Sequence, residues 1–140
     1  MATSQELTDR LDVTELITRL GRWLDRHGGD PTTIYDRDVV VRSPRGEFRG
    51  YDEVMAYLSR EDPSGERAQH FHTDVLVELD GDRATVEANQ LVHFFLPEQA
   101  PHRTSGLNLH YEVVRRAEGW RVAVAKIGLV WLIGAPITPR

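Results

Sequence analysis

At 140 residues, with a net charge of −5, interspersed signs and no cysteine, the chain fits one domain that buries its own core without disulfides or thiolate chemistry. No basic block exists to hold a nucleic acid, and no apolar run nears the roughly 20 residues of a membrane span; the longest, Ile127 to Gly134, has the length of a strand. The opening MATSQELTDR lacks the apolar stretch of a signal peptide, and with the absence of cysteine this points to a reducing, cytoplasmic location.

Residues 5–27 read as an amphipathic helix. Val13, Leu16, Ile17, Leu20, Trp23 and Leu24 form one stripe, and Asp12, Glu15, Arg19, Arg22 and Arg26 form a charged arc. Gly28-Gly29 stops it, and Asp30-Pro31 starts a second helix over 31–36. A short strand follows at 38–42 and a turn-rich loop at 43–50. A third helix over 51–60 carries Val54, Met55 and Leu58 at helical spacing, and 61–67 is a loop. From there the pattern is strands, at 70–80, 83–96, 106–116 and 120–132, the first two joined by Asp80-Gly81-Asp82. Helices followed by an antiparallel meander predict an α+β domain. Its bent sheet forms a cone, closed by three N-terminal helices around a pocket.

Strict alternation along the first long strand puts His70, His72 and Asp74 on one face and Phe71, Thr73, Val75, Val77 and Leu79 on the other. Further on, Asn108 and His110 share a face opposite Leu107, Leu109, Tyr111 and Val113, and His93 lies with Asn89, Leu91 and Phe95. A solvated sheet face favours Lys, Glu, Thr and Arg, whereas histidines and amides near strand centres are more often hydrogen-bonded in part-buried sites. The polar faces therefore read as cavity lining and the apolar face as a homodimer interface. Asp25 stands outside the charged arc, on a flank with Thr14, Thr18 and Gly21 small enough to leave room for a ligand. Arg26 or His27 could pair with it, and a carboxylate near a helix C-terminus opposes the helix dipole. His70 and His72 could begin a metal site, with His93, His110, Asp74 or Asp25 as a third ligand, but no ligand spacing supports one and no metal or cofactor is expected.

The order of elements, the run Val77-Glu78-Leu79-Asp80-Gly81-Asp82-Arg83-Ala84-Thr85-Val86 and the ending Glu118-Gly119-Trp120-Arg121-Val122 resemble the SnoaL-like branch of the nuclear transport factor 2-like superfamily, with its cystatin-like cone. The resemblance makes 1–140 a single SnoaL-like domain, with its core at about 5–132. Gln69-His70-Phe71, Asn108-Leu109-His110, Trp120 and Trp131, with Asp25 at the end of the first helix and His93 in a central strand, are similar to the scytalone dehydratases within it. The pattern departs at Leu24 and Val41, where those enzymes hold a water with two tyrosines.

The resemblance implies Asp25, His70 and His93 as catalytic groups. Asn108, Trp23, Met55, His72, Phe95, His110 and Trp131 are implied as substrate-binding residues around a small hydrophobic, carbonyl-containing, polyketide-like molecule of secondary metabolism. The chemistry implied is cofactor-free dehydration, cyclisation or isomerisation, with an imidazole as general base. A non-catalytic ligand-binding or scaffold domain is the alternative. Epoxide hydrolysis by Asp25, Asp74 and Arg42 is a third reading.

Overall fold

The computed structural model describes residues 1–26, 28–60 and 62–135, so His27 lies outside the described residues. Helix α1 (Ser4–Arg26) forms where the periodicity places it, and its stripe from Val13 through Trp23 is buried. Asp9, on the same helix, is also buried. Arg115 donates to both its oxygens at 2.9 and 2.7 Å, holding the carboxyl below its usual range and tying the helix to the sheet.

The second expected helix is a single 3-10 turn, Pro31–Thr33, capped by the Asp30 side chain on Thr32 N at 3.0 Å. It ends there because Ile34, Tyr35, Val39 and Val41 are core residues, and strand β1 (Tyr35–Ser43) starts earlier than its apolar run suggests. Among the described residues there are therefore two α-helices, not three, α2 being Tyr51–Leu58, which packs Val54 against the core. The turn-rich loop folds back as β2 (Gly46–Arg49), hydrogen-bonded to β1.

Strands β3 (Arg67–Asp80), β4 (Arg83–Phe95), β5 (Arg103–Arg116) and β6 (Gly119–Gly134) form the meander, each close to its expected bounds. The curved sheet has the order β2-β1-β6-β5-β4-β3, antiparallel except where β1 runs parallel to β6. Register shifts interrupt the β3–β4 and β5–β6 ladders, the kind of irregularity that bends a sheet. α1 lies across the concave side, against β3 and reaching β6.

Pairing fixes which residues share a face. His70, Val92, Ser105 and Leu132 form one row on the inner face, and His72, Gln90, Leu107 and Leu129 the next. On the outer face the rows are Phe71, Leu91, Gly106 and Trp131, then Thr73, Asn89, Asn108 and Gly128, then Leu76, Glu87, His110 and Lys126.

Strict alternation fails in β3 because a bulge lies between Thr73 and Leu76. Asp74 sits there with φ 54°, a left-handed conformation Asp tolerates better than most residues, and accepts from Asn89 Nδ2 at 3.1 Å. The extra residue turns Val75, Val77 and Leu79 inward with His70 and His72, and sends Asp74 out. The apolar face read as a dimer interface is thus largely core, since Leu107, Leu109 and Tyr111 also face inward. Large apolar side chains exposed on the outer face are Phe71, Leu76, Trp131 and Ile133. No helix among the described residues is long and apolar enough to cross a membrane.

Candidate active site

The last turn of α1 delivers Asp25 to the inner face, directly over His70. Asp25 Oδ1 accepts from the His70 backbone N–H at 2.6 Å and lies 2.7 Å from Nδ1 of the same ring. Both side chains are mostly buried, 18% and 15% exposed. Two donors on one oxygen offset the unfavourable placement of a carboxylate at a helix C-terminus. A carboxylate only accepts, so the Nδ1 proton points at Asp25 and Nε2 is left with its lone pair free.

Two residues along β3, His72 sits deeper. Its Nε2 is 2.9 Å from the Tyr111 hydroxyl and 3.1 Å from Gln90 Nε2. Burial, with His70 nearby, pushes its pKa down to about 4, so this imidazole stays neutral at neutral pH. Burial likewise drives the Tyr111 phenol well above its ordinary range, so it acts as a hydroxyl and not as a phenolate. The small flank of α1 that the sequence offers to a ligand is where this ring lies: a Cβ on Gly21 would come within 3.0 Å of His72 Nδ1.

Beyond His70 in the other direction, the inner row is Ala68, Phe94 and Arg103. The Arg103 guanidinium lies 3.8 Å from the Phe94 ring centroid, and its Nη2 donates to Glu66 at 2.8 Å. The other Glu66 oxygen meets His102 Nε2 at 2.5 Å. The mouth of the concave face is apolar and open: Leu129 and Leu132, both inward by register, are about half exposed.

The structure brings together Asp25 and His70, with His72 on the same face. Trp23 lies on that side too, buried and edge-on to Tyr35 at 5.6 Å, and Met55 packs part-buried against the same core. Five other expected site residues lie outside. His93 faces out, its Nδ1 2.8 Å from Thr104 Oγ1 and its ring against Phe71. Phe95 shares that face by register. Asn108 is exposed against Gly128, His110 pairs with Glu87 at 2.5 Å, and Trp131 lies across Gly106. The cause is parity: the polar faces of β4 and β5 are opposite to that of β3 before its bulge.

The trio for epoxide opening is not assembled, since Asp74 and Arg42 are on the outer face and Arg42 is paired with Glu47. Among the described residues no group of three or more His, Asp or Glu side chains converges as a metal site would require. A broad open groove of about 1360 Å³ lies elsewhere, along β1, the start of α2 and the β5–β6 turn. Within it Asp36 and Arg116 form a two-bond pair, and neither Asp25 nor His70 lines it.

No curated protein matches this sequence. Among solved structures, a hexachlorocyclohexane dehydrochlorinase (LinA, type 2) superposes with a TM-score of 0.79 at 15% identity, covering 95% of each chain. A candidate scytalone dehydratase from Novosphingobium aromaticivorans gives 0.80 at 12% identity over 98% of this chain and 94% of its own. An NTF2-like protein with a cystatin-like fold from the same organism gives 0.72 at 22% identity over 89% and 83%. These likenesses show the fold, a helix-capped curved sheet of the nuclear transport factor 2-like kind. Residues 5–126 match the SnoaL-like domain, nearly the whole helix-and-meander unit described above, and the chain belongs to that family.

Proposed function

We propose that this domain is a cofactor-free acid/base enzyme that removes a proton from carbon next to a carbonyl in a small apolar molecule, and so acts as a lyase, cyclase or isomerase. The observation that carries this reading is the Asp25–His70 pair. One carboxylate oxygen fixes both the backbone and the ring of His70 and leaves Nε2 as a base at an apolar mouth. The carboxylate holds the tautomer and stabilises the imidazolium that forms on proton uptake. Two structural relatives are named for eliminations, a dehydrochlorinase and a candidate dehydratase, and eliminations of this kind require a proton to leave carbon. A polyketide-like substrate and a role in secondary metabolism follow the same line.

The test is α-proton exchange of 2-tetralone in D2O, followed by NMR. The wild type should accelerate exchange, His70→Ala should lose it by about 10²- to 10⁴-fold, and Asp25→Asn should lose most of it with the fold intact. Exchange at the wild-type rate in both variants overturns the reading.

A further inference from the structure

Proton removal next to a carbonyl puts negative charge on the carbonyl oxygen, and a dry site needs a hydrogen-bond donor there. Asn108, the amide that the resemblance implies as a substrate-binding residue, is on the outer face. Among the described residues, Arg103 is a candidate cation on the inner face near the pair. Arg103 is 12% exposed, pressed against Phe94, one inner row beyond His70.

Among the described residues, only Nη2 of its three guanidinium nitrogens has an acceptor, Glu66. Nε is buried with none, and Nη1 makes no hydrogen bond to the described residues. A buried donor left unpaired is costly, so the group is poised to gain from an acceptor. Its charge is largely met by Glu66, which suits a neutral oxygen that becomes negative during reaction better than a carboxylate that arrives charged.

Spacing agrees. Adjacent inner rows are about 7 Å apart along a strand and β5 lies about 10 Å from β3 across the sheet, a gap that the arginine side chain shortens by reaching across Phe94 toward Glu66, which precedes β3, the strand of His70. A proton-transfer contact and a hydrogen bond take about 3 Å each, which leaves room between His70 Nε2 and the guanidinium for an α-carbon and its carbonyl oxygen.

We infer that Arg103 is the enolate-oxygen donor of this site, so that the substrate is a ketone, ester or lactone whose α-carbon faces His70 and whose carbonyl oxygen faces the guanidinium. The α C–H bond breaks, the proton goes to Nε2, and the electron pair becomes the enolate C=C. The carbonyl π pair moves to the oxygen, which the Arg103 N–H groups hold. Return of the proton at another carbon, or loss of a β-substituent with its bonding pair, completes the reaction without a co-reactant.

This assignment rests on the proton-abstraction reading, and two probes separate them. 4-Nitrophenol mimics the enolate, and its absorbance distinguishes the bound anion from the neutral phenol. The wild type is expected to bind the anion preferentially. Arg103→Gln and Arg103→Lys should each weaken anion binding at least 10-fold and slow 2-tetralone exchange about 10²- to 10³-fold. Lysine can still pair with Glu66, but its compact ammonium lacks the planar fork that lets the guanidinium face Glu66 and the ligand with different nitrogens, so it decides the matter if the glutamine variant does not fold.

His70→Ala should slow exchange by about 10²- to 10⁴-fold and keep the anion bound. Anion binding that depends on Arg103, with no exchange by the wild type, keeps Arg103 and overturns the base. Wild-type anion binding and exchange in a folded Arg103→Lys variant, or no preference for the anion in the wild type, overturns Arg103.

Discussion

His70 and His93 sit on neighbouring strands, and His93 is directly opposite Gln69, one residue from His70. That single residue separates a ring locked onto a carboxylate under α1 from a ring on the far side of the sheet beside a threonine hydroxyl. Side chains alternate with a period of two, so one step of register decides whether a histidine meets the helix or the outside. Similar residues on the two faces should therefore respond differently to change.

The largest contrast is catalytic. His70→Ala should slow α-proton exchange by about 10²- to 10⁴-fold, while His93→Ala should leave it within about twofold, because no element of the pair contacts it; equal losses would put the chemistry on both faces. The next is packing. Leu16→Ala, in a fully buried position, should cost about 2–5 kcal/mol. Leu76→Ala, 69% exposed on the outer face, should change stability by about 0.5 kcal/mol or less. Urea denaturation reads both, and a large loss at Leu76 would mean that this face is covered in solution.

The third contrast is electrostatic. His72 has its pKa held at about 4 instead of 6.5 by burial, so the unfolded chain takes up a proton in that window that the folded chain refuses. Stability should be constant in this respect above pH 6.5 and fall as the pH drops toward 4, by about 3 kcal/mol in all. Between pH 7 and pH 4.5 the urea midpoint should fall further for the wild type than for His72→Gln, which lacks this proton uptake. An equal acid loss in both would show that His72 is protonated in the folded state.

The smallest effect concerns the bulge. Asp74→Val forces a β-branched residue into a left-handed conformation and should cost about 1–2 kcal/mol, whereas Asp74→Gly should stay within about 1 kcal/mol of the wild type. A tolerated valine would mean that the bulge relocates.

Element type was legible in the sequence because periodicity reports local geometry. α1, α2 and the four long strands lie close to their expected bounds, and Asp80-Gly81-Asp82 marks its hairpin. That Asp25 and His70 belong to the site was legible for a different reason: each breaks its local pattern, and a buried carboxylate needs a partner. Face assignment was not. Alternation fixes faces only within a strand, and the choice of inner face depends on pairing with the next one.

The bulge at Asp74 carries no strong signal, since Thr73-Asp74-Val75 fits a regular strand as well. Arg103 was missed because the strand was expected to begin at 106, and Gln90 and Tyr111 because their role depends on a histidine two strands or fewer away. An arginine just upstream of a strand bearing Ser105 and Leu107 at period two was the one available hint.

The parallel pairing of β1 with β6 sets an order of events during synthesis. Val41 has Ala125 as its sheet neighbour, so the first strand waits for the last one made. α1 emerges earliest, yet the strands it covers, β3 and β6, follow much later. The meander can grow hairpin by hairpin as it leaves the ribosome, because each of its strands pairs with the one before. Until β6 arrives, the Leu16 and Ile17 stripe and the β1–β2 hairpin have no finished sheet to join, and their apolar surface stays uncovered.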